Sequence, residues 1–369
     1  MKCFLSVFLI VLLLCSSLFA QKEMNGLYFR TLETVSGKAI YNGYLLWQEG
    51  RIIVIDNNRN NLEKIKKAYP KVQWRKEVAS WIIPGYVLPF SEFGTPRSGQ
   101  SVASPDGSLK EVFNPYEANY EKMLSYGFTS VCLAPSGTGF VGSGLLLKPG
   151  KESTIEKEET IPMLRFQVGE RSQIRKMLDS LTKLKEAHFK QSKFKPLFPY
   201  FQVFQKKSGM IAEISSPHLT YLFLKDRGPF TPTLLLRGRA YSLKETLKEY
   251  PGNLLLEAST HYEPASDFLQ ISALELAKPG RMIGLLPTQD NLDGFEKFRL
   301  DCARLLKFGY TRHEALNGMT LNNAKILGIE KEFGSLEKGK KANFILFSGD
   351  PFSLTSKLEK VYLEGEPVN

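Results

Sequence analysis

The strongest constraint on what this 369-residue chain can fold into is a change of rhythm along it. Between about residues 81 and 335, short apolar runs of strand length alternate with helix-like segments. That is the pattern of a parallel α/β fold, because each parallel strand needs a crossover before the next. Candidate strands are Ile82 to Leu88, Thr129 to Ala134, Met163 to Val168, Met210 to Ile214, Tyr221 to Leu224, Thr233 to Leu236, Leu254 to Glu257 and Met282 to Leu286. Eight such runs in about 255 residues match the size of a (β/α)8 barrel, complete or distorted. The flanks read differently. Leu27-Tyr28-Phe29, Ala39-Ile40-Tyr41, Tyr44 to Trp47 and Gly50 to Ile55 are β-forming runs separated by Gly and Asn turns. Phe344 to Phe347 and Val361 to Leu363 repeat that texture at the far end.

Helical periodicity predicts segments over Asn61 to Tyr69, Glu117 to Tyr126, Gly294 to Phe308 and Thr311 to Leu327. Ile174, Met177, Leu178, Leu181 and Leu184 fall on one face of another. At 43% hydrophobic residues the chain can bury one large core or two smaller ones. The net charge of +11 is dispersed, and no nucleic-acid motif accompanies it.

Residues 1–20 combine Lys2, an apolar run from Phe4 to Leu14 and a small-residue end before Gln21, the build of an export signal. The run is short for a membrane span, although an uncleaved anchor is the other reading. Cys15 offers a lipid-attachment reading, but Leu14 is bulky where such signals carry a small residue. A mature chain starting near Gln21 keeps Cys132 and Cys302, expected as packed free thiols. An exported, cysteine-poor chain fits a bacterial periplasm or envelope.

Four stretches carry a family resemblance. Gly309 to Leu316 and the segment from there to Asn369, with Phe333-Gly334-Ser335-Leu336-Glu337-Lys338-Gly339 and Gly349-Asp350-Pro351, resemble the C-terminal end of the amidohydrolase superfamily, particularly its imidazolonepropionase-like branch. Tyr126 to Val131 is similar to the phrase that opens the family's second barrel strand, and Phe140 to Lys148 resembles the Gly-rich loop after it. Pro84-Gly85-Tyr86-Val87-Leu88-Pro89-Phe90-Ser91-Glu92-Phe93-Gly94 matches, without a gap, the phrase that carries the family's His-x-His pair. The resemblance implies a barrel (81–335) inserted in a composite β-sandwich made by residues 22–80 and 340–369. It also implies hydrolysis of C–N bonds by a metal-activated water at the C-terminal ends of the barrel strands.

In that phrase Phe90 and Glu92 stand at the two histidine positions, and a phenyl ring has no lone pair for a metal. By the same resemblance the fifth-strand ligand falls near Arg237 or Arg239, whose guanidinium repels a cation and suits an anion. His261 stands close to the sixth-strand ligand, and Asp290 is the counterpart of the aspartate after the last strand. Asp290 could equally cap the helix near Gly294, or yield its role to Asp293. His188 and His218 have no partner at ligand spacing, and His313 lies on the last helix.

Two classes of function therefore compete. In one, the chain has lost the metal site and is a non-catalytic or small-ligand-binding envelope protein, its barrel mouth formed near Arg237, Arg239 and Tyr86 with no cofactor. In the other, it remains a C–N hydrolase with no metal or with a single weak divalent ion, such as zinc, at Glu92, His261 and Asp290. Neither reading calls for nucleic acid or for a transmembrane span in the mature chain.

Overall fold

The computed structural model describes residues 24–95, 109–158, 161–166, 209–228, 230–262 and 269–368, with 175 and 179 individually. The export segment, the helix expected over Ile174 to Leu184 and His188 lie outside the described residues.

Four strands, β1 (Met24–Leu32), β2 (Ile40–Gln48), β3 (Arg51–Asp56) and β4 (Gln73–Pro84), open the chain, with helix α1 (Arg59–Ala68) between the last two. Strand β5 (Tyr86–Ser91) follows, then α2 (Tyr120–Ser125), β6 (Phe128–Leu133), β7 (Gly139–Ser143), β8 (Leu145–Lys148), β9 (Thr154–Lys157) and β10 (Pro162–Phe166). Beyond residue 208 come β11 (Ile211–Ile214), α3 (Pro217–Asp226), β12 (Thr233–Leu236), α4 (Lys244–Glu249), β13 (Leu254–Glu257), β14 (His261–Tyr262), β15 (Leu269–Gln270) and α5 (Ser272–Glu275). The chain closes with β16 (Ile283–Leu286), α6 (Leu292–Leu306), α7 (Arg312–Met319), α8 (Leu321–Leu327), β17 (Phe344–Phe347), β18 (Leu358–Leu363) and β19 (Glu366–Val368).

Both flanks enter one seven-stranded sheet of order β19-β18-β17-β4-β1-β2-β3. The junction is the antiparallel pair β17–β4, which sets Ile345 opposite Ile83. Apolar side chains facing one way knit the ends together: Trp47 meets Phe344 and Tyr362 edge-on at 5.5 and 5.7 Å, and Phe344 stacks on Tyr362 at 4.4 Å. The indole N–H donates to Gly365 O at 3.0 Å, so a large apolar body is buried without orphaning its donor.

The middle of the chain forms a six-stranded sheet, β16-β13-β12-β11-β10-β7, and a four-stranded one, β5-β6-β8-β9. Strands β10 through β16 in the first, and β5 with β6 in the second, pair in parallel. Nearly uninterrupted apolar sequence, as in Leu234-Leu235-Leu236 and Leu254-Leu255-Leu256, is what a strand covered on both faces requires. Against α6, Phe295 and Phe298 close over Phe128, and Phe298 also meets Tyr86.

Three expected elements are corrected. The run Ile82 to Leu88 is two strands in two sheets, divided at Gly85, where any Cβ would run into the Thr129 side chain of β6. Tyr221 to Leu224 is not a strand but part of α3: Ser216 Oγ accepts from Leu219 N at 3.3 Å, Pro217 occupies the first turn, and Leu219, Leu222 and Phe223 are buried while Tyr221 is exposed. The expected Thr311 to Leu327 helix is broken at Thr320, whose φ of −134° and ψ of −85° are not helical and whose hydroxyl turns back to Leu316 O at 2.6 Å. Cys132 and Cys302 are buried free thiols, as expected.

Strands β5 and β16 are not neighbours in any hydrogen-bonded sheet, yet one side chain spans them. Asn323 of α8 donates through Nδ2 to Val87 O (2.8 Å) and Leu285 O (3.0 Å). Gly284 is required directly beneath, since a Cβ there would collide with the Asn323 carboxamide.

Candidate active site at the strand ends

In a parallel sheet the strand C-terminal ends are where chemistry collects. Here four of them deliver charge to one place. Glu213 is the third residue of β11, Glu257 the last of β13, and Arg237 follows β12, its N–H extending the ladder to Ile214 O at 2.9 Å. The guanidinium stands between the two carboxylates, Nε 3.4 Å from Glu213 and Nη1 3.3 Å from Glu257. Side-chain exposures of 20%, 12% and 19% make this a largely desolvated triad, in which each charge depends on the others. Arg237 also lies over the Phe90 ring, 5.6 Å from its centroid. Burial raises the Glu257 carboxyl, with nearby Arg237 opposing the shift.

Asp290 reaches the same place from the loop after β16. Ser91 Oγ donates to Oδ1 at 2.7 Å and the Glu92 backbone N–H to Oδ2 at 2.6 Å. Burial pushes the Asp290 carboxyl upward, while these two hydrogen bonds and the Arg237 charge oppose the shift. Asp290 is not the helix cap: Asn291 caps α6, its side-chain oxygen accepting from Gly294 N at 2.9 Å, and Asp293 lies in the first turn. The Glu92 backbone carbonyl accepts from Thr95 Oγ1 at 2.8 Å, so the residue shapes the turn that presents its N–H to Asp290.

His261 belongs to another group. Its ring is tilted against Tyr241 at 4.3 Å, and Nδ1 faces Ser272 Oγ at 3.4 Å. Burial lowers its basicity, with Glu275 opposing the shift and Lys244 adding to it. The trio Glu92, His261 and Asp290 is thus not assembled as one constellation, and among the described residues no group of three or more His, Cys, Asp or Glu side chains is placed to hold a metal ion. Arg239 is exposed beside Tyr241 and forms no part of the Arg237 triad. Tyr86 is not near the mouth either. It begins β5 opposite Phe128, at the other end of the strand, and is fully buried. Of the other histidines, His218 enters α3 and His313 faces Asn317 on α7.

Glu213, Glu257 and Ser91 were not singled out from sequence. A signal existed: each glutamate is the lone charge in an otherwise apolar strand, Ile211-Ala212-Glu213-Ile214 and Leu254-Leu255-Leu256-Glu257, flanking the strand that ends at Arg237.

Beyond the ends of β13 and β16 a cleft of about 290 Å³ opens against α6, lined by Ser259, Thr260, Thr288, Lys297, Asp301 and Arg304 among others. It adjoins the charged group through the chain, since Ala258 follows Glu257 and Gln289 precedes Asp290.

A model of the family described as "Amidohydrolase family" matches residues 296–368, the segment from α6 to the last strand. Imidazolonepropionase from Shewanella baltica is 38% identical over 117 residues, covering 32% of this chain and 24% of the relative. The enzyme of the same name from Shewanella oneidensis is 36% identical over 118 residues with the same coverage. The chain thus matches about a quarter of the length of these curated relatives. Across nearly the whole chain, the crystal structure of an amidohydrolase from Thermotoga maritima superposes with a TM-score of 0.71 at 19% identity, covering 94% of this chain and 100% of that one. Its C-terminal segment thus matches the amidohydrolase family, and its fold is similar to that of an amidohydrolase. A second amidohydrolase-like fold, A. niger ochratoxinase, superposes at a TM-score of 0.54 with 13% identity, 94% of this chain and 95% of that one. At such identities the amidohydrolase likeness speaks for the fold alone.

Proposed function

We propose that this chain is an exported envelope protein that uses the amidohydrolase scaffold to bind a small polar ligand, without metal-dependent hydrolysis. In this reading the two middle sheets are the wall of a distorted barrel (81–335), and the seven-stranded sheet belongs to a composite sandwich (22–80 with 340–369). The observation that carries it is Phe90. The family's phrase puts a metal-binding imidazole there, and this chain puts a phenyl ring under a guanidinium. A zinc site needs three or four N, S or O donors around one point. The mouth instead offers carboxylates already engaged by Arg237, Ser91 and Glu92 N–H, so the donor set does not suit the ion. The adjoining cleft, where Arg304 pairs with Asp301 at 3.0 Å and Lys297 stands among hydroxyl-bearing residues, suits a small polar ligand. The export-signal pattern of residues 1–20 supports the envelope placement. Among the described residues no helix is long and apolar enough to cross a membrane.

The test is elemental analysis of the purified protein together with an amidase screen. Less than about a tenth of an equivalent of zinc, manganese or iron, and no hydrolysis, is expected; near-stoichiometric metal, or activity lost in Asp290→Ala, would overturn the reading. A second reading, a C–N hydrolase with a reduced site, draws on one observation: a buried Asp290 whose raised proton affinity suits acid–base work.

A further inference from the structure

We infer that the Arg237 guanidinium takes the place of a divalent ion: it is the cation that stands between Glu213 and Glu257, and it keeps metals out. This rests on the metal-free reading above and assigns the residue responsible for it. Glu213 and Glu257 come from strands on either side of β12 and converge on the same guanidinium at 3.4 and 3.3 Å. Asp290 is within reach of the same charge and is locked in place by Ser91 and Glu92 N–H. Two carboxylates flanking one point without a cation would repel strongly in so desolvated a place, so something positive must stand between them. The strand that would present a metal ligand presents instead a cation that cannot lose its charge. Its planar head lies over the Phe90 ring, 5.6 Å from the centroid, at the position where the resemblance expects a ligand. The substituted position in the family phrase, Phe90, and the arginine near the expected fifth-strand ligand therefore meet: the ring that cannot ligate lies under the guanidinium.

Removing the guanidinium should convert an arginine-centred group into an oxygen-donor site, which favours manganese, magnesium or calcium over zinc. The experiment titrates the full chain with MnCl₂ by calorimetry and by the relaxation of water protons. Wild type should show no saturable site. Arg237→Ala should gain one equivalent, bound at least about tenfold tighter than any wild-type affinity, and Glu257→Gln in that background should abolish the gain. Arg237→Lys retains a cation and should gain nothing. Should Arg237→Ala fail to fold, Arg237→Met keeps the stem against Phe90 and must show the same gain. A metal-free wild type whose folded Arg237→Ala and Arg237→Met bind no manganese overturns the guanidinium's role and leaves the metal-free reading standing. A wild type that itself carries metal overturns that reading first.

Discussion

The seven-stranded sheet and the charged strand ends are built on opposite principles. In the sheet, Trp47, Phe344 and Tyr362 hold the two chain ends together by buried apolar area and ring packing, and the indole N–H has a backbone partner. At the strand ends, Glu213, Arg237, Glu257 and Asp290 are held by charge in a place poorly supplied with water. The difference teaches where each kind of change is tolerated. A packed sheet accepts many sequences of the right volume and pattern. A desolvated charged group accepts only concerted change, because one member altered alone strands the others.

That contrast can be broken or sharpened by substitution. Trp47→Ala should cost about 3–5 kcal/mol in urea denaturation, from lost burial and an unfilled cavity, while leaving ligand binding by surviving folded protein unchanged. Arg237→Ala should cost about 2–4 kcal/mol near neutral pH, with part of the loss restored by adding Glu213→Gln, since the penalty comes from uncompensated carboxylates and not from volume. Equal losses in both backgrounds would erase the distinction between the regions. Asn323→Ala should cost about 1–3 kcal/mol by leaving the Val87 and Leu285 carbonyls unpaired. Thr311→Ala, which opens the Thr311–Glu314 capping box of α7, should cost only about 1 kcal/mol.

The strand ends also predict a pH dependence. Burial raises the folded Asp290 carboxyl above its ordinary value of 3.8. Its contribution to stability is therefore fully present below that value and is lost as pH rises through the folded one. Asp290→Asn should flatten the decline, leaving the residue due to Glu257, which burial shifts the same way. Unfolding free energies across this window check it; a variant with the wild-type slope would exclude Asp290 as its source.

Much of the fold was legible in the sequence, because apolar runs of strand length declare parallel strands: Thr233–Leu236 and Leu254–Glu257 have the bounds expected of them. What misled was local composition. Tyr221 to Leu224 is made of β-formers, but Ser216 and Pro217 just before it start a helix whose period buries Leu219, Leu222 and Phe223. At the site, Arg237 and Asp290 could be named because a phrase preceded them. Glu213 and Glu257 could not, since a strand-end carboxylate has meaning only beside the cation that a neighbouring strand supplies. His261 falls near the position that the family resemblance gives to a sixth-strand ligand and yet faces Tyr241 and Ser272, because two more strands, β14 and β15, carry it aside.

The amide of Asn323 works as a brace. It sits in the C-terminal segment that carries the family likeness and reaches back 236 positions to Val87, three residues before Phe90, while its second bond holds Leu285 ahead of the loop that delivers Asp290. With no ladder between β5 and β16, the carboxamide and the bare Gly284 beneath it hold the two strands together alongside the Ser91 and Glu92 hydrogen bonds to Asp290. A displacement of α8 is therefore felt at both strands that lead to the mouth, so the most recognisable part of the chain also supports its most altered part.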